Sequence, residues 1–193
     1  YRQAMDALQA GANVFIEKPL STNSQEAADV VTLARGRKLK VAVGHQYRLR
    51  PGLIEARARL AADAVGPLRL VTAALAESGL DVVTAATIRL EGDVPATLAL
   101  SGVSRGSLFE LNFFGERGRI RATDALIEVD PGDGPPARGS TPTGPEESID
   151  ANFLAALRGL GPLSCSAEDA MEAVRLSEAV ARSAASGRVV SLV

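Results

Sequence analysis

Ala12-Asn13-Val14-Phe15-Ile16-Glu17-Lys18-Pro19 is the stretch on which the fold reading turns. Val14-Phe15-Ile16 is a short apolar run of the kind a buried strand uses. Upstream, Ala4, Met5, Leu8 and Ala12 recur at helical spacing, so residues 2–10 read as the end of a helix that Gly11 stops. Downstream, Thr22-Asn23-Ser24-Gln25 reads as a capping box and predicts a helix over 23–37 with Ala27, Val30, Val31 and Ala34 inward. Arg35, Arg37 and Lys38 gather at its end, where the helix dipole favours positive charge. Val41-Ala42-Val43 is a second short strand. Pro51 opens a third helix, which carries Leu53, Ile54, Ala58 and Leu60 and ends near Gly66-Pro67. Helix, strand, helix, strand, helix is the order of half a doubly wound parallel sheet.

After Pro67 the pattern changes. Residues 68–77, 82–91, 94–103, 107–114 and 119–123 read as strands separated by glycine-bearing turns. Short connections predict an antiparallel meander. Neither face of the 82–91 strand is strongly charged, so the sheet is expected to be covered on both sides. Residues 130–147, rich in Pro, Gly, Ser and Thr, read as a mobile loop. Ile149, Phe153, Leu154 and Leu157 predict one helix, and Ser166-Ala167-Glu168-Asp169 begins another that Gly187 stops. Val189 to Leu192 is a candidate last strand. The expected class is α/β over residues 1–65, as part of a doubly wound sheet, followed by α+β over residues 66–193.

The net charge of −2 offers no basic footprint for nucleic acid. No apolar run is long enough to span a bilayer, and no signal segment opens the chain, so the default compartment is cytoplasmic. The single cysteine, Cys165, excludes an internal disulfide and a cysteine-based zinc cluster, and reads as a loop or partly buried thiol. The single histidine, His45, excludes a two-histidine metal site, so no metal is expected. With no nucleophile motif beside it, His45 reads as a packing or supporting group and not as part of a hydrolase triad. Lysine occurs only at 18, 38 and 40, which makes a lysine at a strand end unusual in this chain. The carboxyl ends of parallel strands are where α/β sheets bind ligands. A lysine there, partly desolvated, gains a lowered pKa and exchanges a proton near neutrality. Glu17 orients it, and Pro19 fixes the backbone. A sharp turn at such a site favours a cis Lys18–Pro19 bond.

The run from Ala7 through Glu17-Lys18-Pro19-Leu20, together with Val43-Gly44-His45-Gln46-Tyr47-Arg48-Leu49-Arg50-Pro51, resembles the two signatures of the glucose–fructose oxidoreductase / inositol dehydrogenase (Gfo/Idh/MocA) family. Ile149 to Leu154 and Ser166 to Val190 resemble its C-terminal helices and last strand. The resemblance implies a Rossmann-type domain followed by an antiparallel sheet domain, NAD or NADP as cofactor, and hydride transfer at a hydroxyl-bearing carbon of a sugar or cyclitol. It implies Lys18 as the catalytic lysine, Glu17 and Pro19 framing the nicotinamide side, and Gln46 and Arg48 near the cofactor. It also implies self-association through the C-terminal sheet.

Two departures stand out. No Gly-x-Gly-x-x-Gly occurs in the chain, and no Asp-x-x-x-His follows Lys18. The first motif carries the amides that meet a pyrophosphate. With Tyr1 falling inside a helical pattern, the sequence reads as an incomplete copy with an internal deletion near Ala73–Ala74. The alternative reading is a non-catalytic remnant or self-associating interaction module.

Overall fold

The computed structural model describes residues 1–79, 83–124, 126–140 and 148–192. It divides into two compact units, Tyr1–Leu49 with Glu147–Val193, and Arg50–Glu146. The compact units therefore do not follow the expected 65/66 boundary: the third helix belongs with the large sheet, and the C-terminal helices belong with the first two strands.

The first unit holds α1 (Arg2–Gln9), β1 (Val14–Ile16), α2 (Ser24–Arg37), β2 (Val41–Val43), α4 (Ile149–Leu157) and α5 (Ala167–Ser186). β1 and β2 pair in parallel, with Val14 opposite Val41 and Ile16 opposite Val43. Parallel neighbours need a crossover, and α2 supplies it. Its buried residues are Ala27, Val30, Val31 and Ala34, the set predicted from spacing. They share a core with Leu8, Leu20, Val43, Ala170 and Val174. The cap differs from the prediction by one residue. Asn23, not Thr22, is the N-cap, and its Oδ1 accepts from Glu26 N–H at 2.9 Å. Asn13 Oδ1 accepts from Lys40 N–H at 2.7 Å, tying the start of β1 to the start of β2.

The outer edge of β2 is met by chain from 120 residues later. Val43 N–H donates to Cys165 O at 3.2 Å, and Ala42 bridges Ser166 in antiparallel sense. Cys165 is buried, which pushes its thiol pKa up and suits a packing role. The expected strand at 189–192 does not form. Val189 is 98% exposed, and the segment pairs with no strand among the described residues; Leu192 O instead accepts from Arg175 at 2.7 Å.

The second unit is α3 (Pro51–Ala61) and a seven-stranded sheet. Its strands are β3 (Leu68–Ala76), β4 (Val83–Leu90), β5 (Val94–Ser101), β6 (Leu108–Gly115), β7 (Arg119–Thr123), β8 (Leu126–Asp130) and β9 (Ala137–Ser140). The spatial order is β4-β5-β3-β6-β7-β8-β9. The predicted meander holds for β4–β5 and β6–β7, but β3 pairs in parallel with β5 and antiparallel with β6, so the consecutive pairs β3–β4 and β5–β6 do not form. β4 turns back on β5, so β5 occupies the edge of β3 that a plain meander would give to β4. Two strands, β8 and β9, were missed, and β9 falls inside the expected 130–147 loop; residues 141–147 lie outside the described residues, as does Val82 of the fourth predicted strand. β3 runs unbroken through Ala73–Ala74.

Register sorts the two faces of this sheet. Ile88, Ala96, Val71, Phe113, Ile120, Val129 and Ala137 lie opposite one another across all seven strands. α3 covers part of this face, where Ala56, Ile120, Ala122 and Ile127 are buried together. The next row on the other face is Thr87, Thr97, Thr72, Asn112, Arg121, Glu128 and Arg138. The β6–β9 half of that face is charged, unlike the weakly charged sheet expected from the 82–91 strand. Arg121 Nε donates to Glu110 Oε2 at 2.9 Å, and Asn112 donates to Glu110 Oε1 at 3.0 Å. Arg121 and Asn112 together hold the Glu110 carboxyl below its usual range. Glu128, 6% exposed, accepts from Arg119 at 2.9 Å and pairs with Arg138 at 2.7 Å.

Gly115 ends β6 where the backbone comes closest to its neighbour: a Cβ there would sit 2.1 Å from Val65 O. Rigid backbone cannot yield as a side-chain tip can. Gly115→Ala is expected to cost about 1–3 kcal/mol, measured by urea unfolding. An unchanged midpoint would show that the β6–β7 corner adjusts freely.

Candidate functional site

Register places the two sequence signatures side by side. Ile16 and Val43 are partners at the carboxyl ends of β1 and β2, and Gly44 N–H donates to Ile16 O at 2.8 Å. Glu17-Lys18-Pro19 and Gly44-His45-Gln46 thus leave the sheet at the same end. Glu17 lies close over Gly44: a Cβ there would sit 2.6 Å from Glu17 Oε2, the tip of a flexible side chain. The Lys18–Pro19 peptide is cis.

Glu17, Lys18, Pro19, Gln46 and Arg48 are all exposed, and His45 is half-buried. The desolvation expected around Lys18 is therefore not supplied by the described residues. His45 is different. Burial lowers its pKa first, the Arg48 and Lys18 charges lower it further, and Glu17 opposes them in part. The net result is an imidazole that is neutral at pH 7, with one nitrogen donating and the other accepting. Lys18, Glu17 and Arg48 therefore all act on His45 at this strand end. Among the described residues no group of three or more His, Cys, Asp or Glu is placed to hold a metal ion.

Gln46 begins a 3-10 turn that runs to Leu49 and carries Arg48. Arg48 Nη2 donates to Asp169 Oδ1 at 3.3 Å. Asp169 lies in the first turn of α5, and sequence reasoning did not single it out for a role. The only signal was the Ser166-x-x-Asp169 spacing of a capping box, which reads as helix punctuation until the fold brings it to β2.

Beside His45 is a groove of about 490 Å³. Pro19, Thr22 and His45 line one side, and Ala173, Ser177 and Ala181 of α5 the other. Lys18, Gln46 and Arg48 are not among its lining residues, so the structure does not gather every predicted residue into one concavity. Glu178 closes one end. Its carboxylate accepts from Ser24 N–H at 2.8 Å and from Ser24 Oγ–H at 2.6 Å. Ser24 opens α2, where backbone amides lack helical partners and negative charge is favoured.

Residues 1–45 match the family model described as an oxidoreductase family with an NAD-binding Rossmann fold, the Gfo/Idh/MocA model. Over those residues the chain is similar to the Gfo/Idh/MocA oxidoreductases. No curated protein sequence matches it. Solved structures of similar fold include UDP-N-acetylglucosamine 3-dehydrogenase GnnA from Acidithiobacillus ferrooxidans, at 19% identity and TM-score 0.79, over 92% of this chain and 72% of that one. An inositol dehydrogenase homolog from Azotobacter vinelandii, complexed with NAD+, matches at 17% identity and TM-score 0.82, over 96% of this chain and 73% of that one. The WlbA dehydrogenase from Bordetella pertussis, in complex with NADH and UDP-GlcNAcA, matches at 15% identity and TM-score 0.78, over 97% and 74%. No helix among the described residues is long and apolar enough to cross a membrane.

The Ser24–Glu178 bridge makes a pH prediction. The Ser24 hydroxyl, then the Ser24 amide, hold Glu178 below its ordinary value of 4.5. A carboxyl lowered in the folded state stabilises above the unfolded pKa, and that contribution is lost as pH falls through the folded value. Glu178→Gln is therefore expected to lower the melting temperature at neutral pH and to converge with the parent in acid. Parallel melting curves at all pH values would count against an ionised bridge.

Proposed function

We propose that this chain is an NAD(P)-dependent oxidoreductase that moves a hydride between nicotinamide and a hydroxyl-bearing carbon of a sugar or cyclitol. The observation that carries the reading is the register of β1 and β2. It sets Glu17-Lys18-Pro19 beside Gly44-His45-Gln46 at the strand ends where α/β folds bind ligands.

The residues present fit the nicotinamide side of a dinucleotide. Lys18 offers an ammonium, Gln46 an amide and Arg48 a guanidinium, all exposed, around a neutral His45. No Gly-x-Gly-x-x-Gly occurs in the sequence, so no residue is assigned to the pyrophosphate. The bound cofactor supplies the hydride acceptor or donor. Lys18 Nζ hydrogen-bonds the reacting hydroxyl oxygen and exchanges its proton. Glu17, held over Gly44, keeps the turn in place, and Pro19 frames the nicotinamide. Gln46 and Arg48 meet the cofactor from the β2 side. A positioned acid–base group of this kind contributes about 10²–10⁴-fold to the rate.

Residues 1–65 form the cofactor module of this proposal and 66–193 the substrate and self-association module, with the segment that would carry an Asp-x-x-x-His lost near Ala73–Ala74. The small, largely uncharged Thr87–Thr97–Thr72 part of the sheet face is suited to packing against a second copy, as sheet faces do. A cytoplasmic location, with its nicotinamide pools, is the one this reading expects.

Titration of the chain with NADH and NADPH, followed by assay on myo-inositol and simple sugars, tests the reading. Micromolar binding with turnover is expected, and Lys18→Met should lower turnover by about 10²-fold or more while leaving nucleotide affinity within a few-fold. Absence of nucleotide binding, with a folded self-associated chain, would replace this reading with a non-catalytic interaction module.

A further inference from the structure

The first turn of α5 carries two carboxylates, and they are held differently. Glu168 meets Arg35 at 3.3 Å with side chains 73% and 49% exposed (Arg35 and Glu168, respectively), an ordinary surface pair. Asp169 is fixed before any arginine reaches it. Its Oδ2 accepts from Ser166 N–H and from Ser166 Oγ–H, both at 3.0 Å. The Ser166 hydroxyl in turn accepts from Asp169 N–H at 3.2 Å, completing a capping box. The other oxygen, Oδ1, is left for Arg48 Nη2 at 3.3 Å.

The same short segment is fastened to β2. Ser166 bridges Ala42, and Cys165 O accepts from Val43 N–H at 3.2 Å. Val43 is the last residue of the strand whose following turn carries Arg48. Asp169 therefore sits on a rigid helix start that is itself anchored to the strand it serves. A half-exposed pair contributes little to stability. Its value is in orientation, because an arginine side chain loses much rotamer freedom when it is held in one place.

The geometry points to Asp169 as a positioning residue for Arg48, holding the guanidinium at the end of β2 in the orientation that meets the cofactor. This inference rests on the proposed dinucleotide site.

The test is NADH affinity, read from nicotinamide fluorescence in a chain that contains no tryptophan. Asp169→Asn is expected to raise the Kd about 3–10-fold. Glu168→Gln removes the same charge from the same turn and is expected to leave the Kd within about twofold. In an Arg48→Gln background, which itself weakens binding, Asp169→Asn should have no further effect. Such coupling is a readout that loss of helix stability alone would not produce. Thermal melts accompany each variant. Should Asp169→Asn not fold, Ser166→Ala removes the hydroxyl that donates to the same carboxylate, and a weakened Kd is again expected. Unchanged affinity in either variant, an equal loss in Glu168→Gln, or a loss that persists without Arg48 would overturn the inference while leaving the function intact. A parent chain that binds no NADH would overturn the function, and this inference with it.

Discussion

The parallel pairing of two three-residue strands is the constraint on which the first unit depends. Three residues each give few ladder bonds, so the pair holds only because everything around it agrees. A parallel pair cannot be closed by a hairpin, so α2 must cross over. Its Ala27, Val30, Val31 and Ala34 face is then committed to the same core as Val41 and Val43. Asn13 and Asn23, at the two ends of that crossover, use side-chain oxygens to satisfy backbone amides that neither strand nor helix would otherwise engage. A slip of one residue in β1 would turn each side chain to the opposite face. It would also withdraw Glu17 from Gly44, so register and site stand or fall together.

The second dependence is long-range. β2 is completed on its outer side by Cys165 and Ser166, and α5 packs on α2 with Glu178 bound at the start of that helix. The unit is therefore built from the two ends of the described chain, with the large sheet inserted between them. This explains why a boundary drawn along the sequence at 65/66 does not coincide with the compact units. Composition changes where strands replace helices. Compactness follows which apolar faces meet, and α5 finds its partner far upstream.

Local signals were legible and long-range ones were not. The inward face of α2 was readable because one helix face needs only a 3.6-residue period. The strand alternation of β3 to β7 was readable for the same kind of reason. The parallel β3–β5 pair was not, because nothing in either strand says which edge of β3 the β4–β5 hairpin will take. β9 was hidden by Gly139 and the prolines before it, and it forms because β8 offers it an edge. The converse case is Val189-Val190-Ser191-Leu192, a good strand composition with no edge to join. Around the strand ends, Glu17, Lys18, Gln46 and Arg48 were legible as candidates from two short motifs. Asp169 was not, because it reaches Arg48 across 121 residues of sequence.

The electrostatics of the strand end separate identity from chemistry. Lys18 has the position that the family resemblance gives to a catalytic lysine, but its side chain is exposed. His45 has no such motif role, yet it is the group whose protonation the surroundings alter, through burial and two nearby cations. Desolvation is what makes a lysine responsive near neutrality. The described residues leave Lys18 exposed, so in the proposed function that desolvation would come from the ligand that covers the strand ends. A ligand that closes over Lys18 would also bury the face shared by Glu17 and His45, bringing a carboxylate and a neutral imidazole into the same low-dielectric space. Under the proposed function, the acid–base character of the site would then belong to the complex, prepared by the β1–β2 register and completed when the strand ends are covered.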